Sequence, residues 1–173
     1  YHLISTWDPS TLYTYKNGVF ISSTSYTNPG TELGSADIGR GSGNYIAMNL
    51  GDFKAYNKQL SQTEILQNYY QAPIVTDGLV FAVDAGNLVS YENGSVTAYN
   101  LAGSETGTLT NGVGFDNSNG GSWEFDGVDD KIVNPVSNSF NMHCLEIIFK
   151  PHKPIIRNTA PDGGAYSLLG VGT

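Results

Sequence analysis

A chain of 173 residues is long enough for one domain of ordinary size or for parts of two, because single domains run to about 100 to 200 residues. Its 39% hydrophobic and 14% charged residues, with abundant Gly, Ser, Thr and Asn, exclude disorder and describe short strands joined by tight turns. A net charge of -8, from 8 basic and 16 acidic residues, repels polyanions and argues against nucleic acid as a partner.

The elements follow in chain order. Residues 12–22, LYTYKNGVFIS, alternate aromatic and aliphatic side chains around Asn17-Gly18, the dipeptide best suited to the two positive φ angles of a type I′ turn. They predict a β-hairpin with arms from Leu12 to Tyr15 and from Val19 to Ile21. A polar segment covers 22–31, and in ELGSADIGRGSGN, 32–44, Leu33 and Ile38 suit a strand ending in a loop. MNLGDFKAYN, 48–57, reads as a strand with Gly51 as a bulge or bend. Ser61 and Glu64 then have the spacing of a capping box, Ile65, Leu66, Tyr69 and Tyr70 gather on one side at helical spacing, and Pro73 stops the run. A short docked helix over 61–70 is predicted.

Past Pro73 the pattern returns to strands. GLVFAVDA, 78–85, is nearly all apolar and so covered on both faces; SVTAYNLA, 95–102, and TLTNGVGF, 108–115, follow. Trp123, Phe125, Val128 and Ile132 alternate around an Asp-Gly turn, and CLEIIFK, 144–150, continues the sheet. An all-β, antiparallel sandwich with one short helix is the simplest architecture that buries these faces. No repeat at a period of about 20 to 50 residues is present, which argues against propellers and solenoids.

Acid is concentrated late: residues 1–72 carry four bases and five acids, residues 73–173 four bases and eleven acids, so a cation site is expected in the second half. The turn Asp126, Asp129, Asp130 is its best candidate, since calcium takes about six to eight oxygen ligands and a turn converges several. The bland alternative is Asp-Gly turn chemistry, in which Asp bonds the backbone without metal. Asp84, an acid in an apolar strand, either adds a calcium ligand across the sheet or accepts from a loop backbone.

Catalytic signals are weak. Glycoside hydrolysis needs two carboxylates about 5 to 10 Å apart, whereas Glu146 stands alone in CLEIIFK and Glu124 takes an outward position, so no catalytic residue and no enzyme are expected. His2, His143 and His152 lack the spacing of a zinc helix, and GRGSGN, 39–44, opens no helical pattern as a phosphate loop would. Cys144, the single cysteine, excludes an internal disulfide and reads as a buried small hydrophobe. Asn93-Gly94-Ser95 is a glycosylation acceptor in a secretory pathway and otherwise a turn. Trp7, Tyr13, Tyr15, Tyr45, Tyr69, Tyr70, Tyr91 and Tyr99 offer either sugar-stacking faces or core. No stretch approaches the roughly 20 apolar residues of a spanning helix, so no membrane insertion is expected. The chain opens at Tyr1 with a hairpin pattern close behind, which reads as an excerpt or processed piece of something longer.

Several of these stretches resemble the laminin G-like, or concanavalin A-like lectin and glucanase, jelly-roll domains. WDPSTLYTYKNG at 7–18, DIGRG at 37–41 and AYNKQLSQTEILQNYYQA at 55–72 are similar to the back half of such a domain. DGLVFAVDAGN at 77–87, AYNLAG at 98–103, TLTNG at 108–112 and FDGVDDKIV at 125–133 are similar to its front half. The resemblance therefore implies the C-terminal half of a sandwich over residues 1–72 and an N-terminal half over 73–173, either as successive tandem units or as permuted partners in one fold. YSLLGVGT, 166–173, would continue toward the hairpin with which the chain starts. Half a sandwich exposes an apolar face and unpaired edges, so its complement must lie in the same chain or in a neighbouring unit.

The strand motif E-x-D-x-x-E of the glucanase members is missing here. TDGLVFAVDAGN, TLTNGVGF and NGGSWEFDGVDD are most similar to laminin G-like repeats of phage and environmental viral structural proteins. That implies a non-enzymatic structural or adhesion module of a virion surface or tail-fibre-like protein. Its expected location is the virion surface or extracellular space, with neighbouring tandem units or other virion subunits as partners and cell-surface glycan as a ligand. The alternative it implies is a calcium-assisted carbohydrate-binding accessory domain of a secreted or cell-surface protein.

Overall fold

Three strands open the chain: β1 (His2–Trp7), β2 (Thr11–Lys16) and β3 (Val19–Ser25). The β2–β3 turn is the expected one, with Asn17 at φ 52° and Gly18 at φ 76°, the paired positive angles that a two-residue hairpin loop requires. The computed structural model describes residues 1–25, 36–41, 44–70, 73–134, 143–152 and 169–171. Most of the polar segment predicted over 22–31, Leu33, residues 42–43 of the GRGSGN loop and most of YSLLGVGT lie outside the described residues.

After β3 come β4 (Ala36–Ile38), β5 (Arg40–Gly41), β6 (Asn44–Tyr45) and the long β7 (Ala47–Tyr56). The helix α1 (Gln62–Tyr69) is followed by β8 (Leu79–Asp84), β9 (Thr97–Tyr99), β10 (Thr106–Thr110) and β11 (Gly114–Asp116). A single 3-10 turn over Ser118–Gly120 leads to β12 (Ser122–Asp126), β13 (Lys131–Asn134), β14 (Cys144–Pro151) and β15 (Leu169–Val171). The chain is mostly β with antiparallel pairing and one α-helix among the described residues. No helix among them is long and apolar enough to cross a membrane.

An eight-stranded sheet runs in the order β11-β12-β7-β14-β1-β2-β3, with β8 also on β7; a five-stranded sheet runs β15-β4-β13-β10-β9; β5 and β6 form a small pair. β14 occupies one edge of β7, while β12 and β8 divide the other: Trp123 lies opposite Leu50 and Asp84 opposite Asp52. Gly51 sits at the division, where the β14 register slips between Ile148 and Phe149, so it is the bulge the sequence predicts. β14 also separates β1 from β7. Strands from residues 1–70 and from residues 73–171 thus alternate within single sheets.

Alternation sorts the side chains. Met48, Leu50, Phe53, Phe81, Val83, Trp123, Phe125, Ile147 and Phe149 of the large sheet share one buried cluster with Ile38, Ala98, Leu109 and Ile132 of the smaller sheet. The opposite face of the large sheet carries a second cluster under α1, made of Ile4, Tyr56, Leu60, Ile65, Val75 and Cys144. Phe81, Ala82 and Val83 are buried in succession, as expected of a strand covered on both faces. One correction concerns the helix face. Asn68 is buried beside Ile65, while Tyr70 is 73% exposed, because Asn68 is drawn inward by a buried carboxylate.

Candidate functional site

The acidic turn between β12 and β13 is built by its own hydrogen bonds. Asp126 Oδ1 accepts from Val128 N at 2.7 Å, and Asp130 Oδ2 accepts from Asp126 N at 3.0 Å, the local Asx chemistry that Asp-Gly turns use. Asn111 in the β10–β11 turn donates from Nδ2 to Asp129 O at 2.8 Å, so two turns are clasped together. One ligand oxygen from each of Asp126, Asp129 and Asp130 lies within 4.8 Å of the others.

Turn chemistry does not account for every atom. Asp130 is only 4% exposed, and its Oδ1 has no hydrogen-bond partner among the described residues. A buried acceptor left unpaired is costly. Burial raises the carboxyl pKa of Asp130, and the charges of Asp126 and Asp129 add to that. Lys131, the adjacent base, is committed elsewhere, its Nζ lying 3.0 Å from Asp37 Oδ2. Three hard carboxylate oxygens, none of them in an ion pair with a base among the described residues, are the ligand type of hard cations such as calcium and not of soft metals.

Asp84 is not brought to that turn. It lies opposite Asp52 on β7, whereas Asp126 lies opposite Ala47, five positions along the same strand. Asp84 Oδ1 accepts from Gly86 N at 2.8 Å, so its side chain bonds a loop backbone, the second of the two roles its sequence allowed.

Glu146 needs a correction: it does not stand alone. Register places it opposite Lys54, and its fully buried carboxylate meets Lys54 Nζ at 3.1 Å and accepts from Asn68 Nδ2 at 2.5 Å. His2 Nε2 is also 3.1 Å from Oε1, near enough for charge pairing but off the line of a hydrogen bond. Burial opposes ionisation of Glu146, but His2 and Lys54 outweigh it and hold the carboxyl below its usual range. Lys54 also reaches Asp52 at 2.5 Å, and Asn68 Oδ1 accepts from Val75 N at 2.9 Å. The group ties β1, β7, β14, α1 and the segment after the helix together, with His2, Lys54, Asn68 and Glu146 all buried. Glu124, by contrast, is exposed on β12. Cys144 is buried as expected, which pushes its thiol up to about 12.

The aromatic candidates divide by exposure. Tyr91 is buried against Trp123 and Phe115; Trp7, Tyr13, Tyr15 and Tyr45 are half-buried; Tyr70 and Tyr99 are exposed, and Tyr69 is on the border at 36%. Comparison of the chain with protein-family models, with curated proteins and with solved structures gives no match.

Proposed function

We propose that the chain is a non-enzymatic structural or adhesion module of a virion surface or tail-fibre-like protein, with cell-surface glycan as its ligand and neighbouring units or other virion subunits as partners. In this reading its two main sheets are a jelly-roll sandwich of the laminin G-like, concanavalin A-like kind. Residues 1–72 supply the closing strands of that sandwich and residues 73–173 the opening ones. The observation that carries the reading is β14 of the later stretch inserted between β1 and β7 of the earlier one, the complementation that two half-sandwiches in reversed order need. The stretches 76–87, 108–115 and 119–130 supply the virion assignment by resemblance. The carboxylate nominated for hydrolysis in the sequence, Glu146, is fully buried.

A second reading, a calcium-assisted carbohydrate-binding accessory domain, is favoured by the unpartnered Oδ1 of Asp130. Asp126, Asp129 and Asp130 would hold the ion, which would offset two of their three charges and fix the shape of the turn. Thermal melts in calcium and in chelator test it. Calcium at about a hundredfold its Kd stabilises the native state by about 2.7 kcal/mol, and Asp130→Asn should abolish most of the gain. Equal melts in calcium and chelator would remove the ion from the account and leave the scaffold reading.

A further inference from the structure

Four Asn-Gly pairs lie in the chain: Asn17-Gly18, Asn93-Gly94, Asn111-Gly112 and Asn119-Gly120. At such a pair a protein can react with itself, because glycine, having no Cβ, leaves its backbone nitrogen unshielded toward the amide carbon of the preceding side chain. Alike in sequence, the four differ in what holds them.

In the β2–β3 turn Asn17 Oδ1 accepts from His2 N at 3.1 Å, Gly18 O accepts from Gln62 Nε2 at 3.0 Å, and Gly18 is buried under Leu66 and Tyr69 of α1. In the β10–β11 turn Asn111 Nδ2 is engaged with Asp129 O at 2.8 Å. Asn119 Nδ2 donates to Ser118 Oγ at 3.2 Å, Gly121 N donates to Ser118 O at 3.0 Å, and Gly120 O occupies the space that a Cβ on Gly86 would need. These three asparagines also share a left-handed backbone, with φ of 52°, 68° and 53°.

Asn93-Gly94 is held by none of these devices. Ser95 N donates to Glu92 O at 2.9 Å and closes a turn in which Gly94, at φ 89°, is the residue with positive φ, the type II arrangement. Asn93 and Gly94 are both exposed, and a Cβ on Gly94 would meet nothing within 4 Å. Among the described residues no hydrogen bond holds the Asn93 side chain or the Gly94 N–H. The turn leads into β9, the last strand of the smaller sheet. Exposed turns outside the sheet ladders open locally at far lower free energy than the core, so the rearrangement that brings Gly94 N to the side chain is accessible here.

We propose that Asn93 is the principal self-modification site among the four pairs, with water as the sole co-reactant. Base removes the proton from Gly94 N, and that nitrogen attacks Asn93 Cγ. The N–Cγ bond forms, the Cγ–Nδ2 bond breaks, and Nδ2 leaves as ammonia with a proton from solvent. Water then adds to either carbonyl of the resulting succinimide ring, and cleavage of that carbonyl's bond to nitrogen gives aspartate or isoaspartate. Nothing is oxidised or reduced. Both products place a new carboxylate beside Glu92. Isoaspartate also carries the backbone through the side-chain carbon, which lengthens the turn, and either product removes the asparagine of the Asn93-Gly94-Ser95 acceptor sequence. The site is independent of what the chain binds.

The test incubates the full chain at neutral and mildly alkaline pH, folded and in guanidinium chloride, and follows amide-to-acid conversion at each of the four pairs by mass spectrometry of its proteolytic peptides. In the folded chain Asn93 should convert ahead of the other three, and faster at the higher pH. In denaturant the four rates should converge, since the tethers that set them apart are gone. Asn93→Gln should lose the modification at that position, because the longer side chain disfavours the five-membered ring, and should melt as wild type does, the position being exposed. A folded chain in which Asn17, Asn111 or Asn119 converts first, or in which Asn93 does not convert, overturns the inference. An equal lead for Asn93 in denaturant overturns it as well, since neighbouring residues and not the free turn would then set the rate.

Discussion

Glu146 is the residue on which three strands and the helix depend, because its carboxylate answers Lys54, Asn68 and His2 in a space without water-exposed surface. Removing one member of a buried charged group strands the others, at a cost of about 3 to 5 kcal/mol. Glu146→Ala should therefore lower the unfolding free energy by that amount, read as a lower denaturant midpoint at unchanged m, and Glu146→Gln, which keeps a partner for Asn68, should lose less. Equal losses would show that charge is irrelevant to the group. Because the folded carboxyl titrates below its unfolded value, this stabilisation is present above the unfolded pKa and declines as pH falls through the folded one. Wild type should lose stability in acid more steeply than Glu146→Gln. None of this was legible in CLEIIFK, since Lys54 lies 92 positions and Asn68 78 positions from Glu146. Gly86 makes a simpler case. A Cβ there would overlap the carbonyl oxygen of Gly120, an obstacle of backbone that cannot swing aside, so Gly86→Ala should destabilise by about 1 to 3 kcal/mol. Wild-type stability in that variant would mean the two loops do not pack as closely as described.

At the scale of elements, α1 shows what sequence signals do and do not carry. Its start was written in Ser61 and Glu64: the Ser61 Oγ accepts from Glu64 N at 3.3 Å, and Glu64 Oε2 accepts from Ser61 N at 2.8 Å. Lys58 Nζ donates to the other oxygen at 2.7 Å, and these contacts, Lys58 first, lower the Glu64 pKa to about 2. Ser61→Ala should cost about 1 kcal/mol, read from the shift in unfolding midpoint. The contribution of Glu64 is complete above its unfolded pKa and lost as pH falls toward 2, so the penalty of Ser61→Ala should shrink in acid. A penalty constant down to pH of about 2 would mean that the bond from the Ser61 hydroxyl to Glu64 Oε2, 2.8 Å long, adds nothing. Capping is local, so residues three apart reveal it. The docked face is not local: helical spacing nominated Tyr70, and only the tertiary partner Glu146 shows why Asn68 turns inward instead. The acidic turn was visible for the same reason as the cap, being contiguous in sequence. The contacts of Asn49 with Glu124 and His152 were not legible because strand register, absent from any short window, brings them together.

For the whole molecule, the decisive feature is that neither stretch of the chain makes the large sheet alone. β1 and β7 come from residues 1–70 yet have no pairing with each other; β14 lies between them, and β12 and β8 complete the far edge of β7. Apolar side chains from both stretches then fill one cluster, so loss of either strips the other of pairing and of burial at once. Such mutual dependence produces all-or-none unfolding. The two tryptophans provide a direct check, since Trp7 lies in β1 and Trp123 in β12. In a Trp7→Phe background fluorescence follows the later stretch, and in a Trp123→Phe background the earlier one. Adding Phe53→Ala to each removes a β7 ring packed edge-on against Phe81, centroids 6.2 Å apart, at a cost of about 3 to 5 kcal/mol. The shift caused by Phe53→Ala should be the same through either tryptophan, because there is one transition to shift. Should the Trp7 signal move while the Trp123 signal stays in place, the stretches unfold as separate bodies, and the sheet would have to be shared with another chain in the assembled protein instead of completed within one.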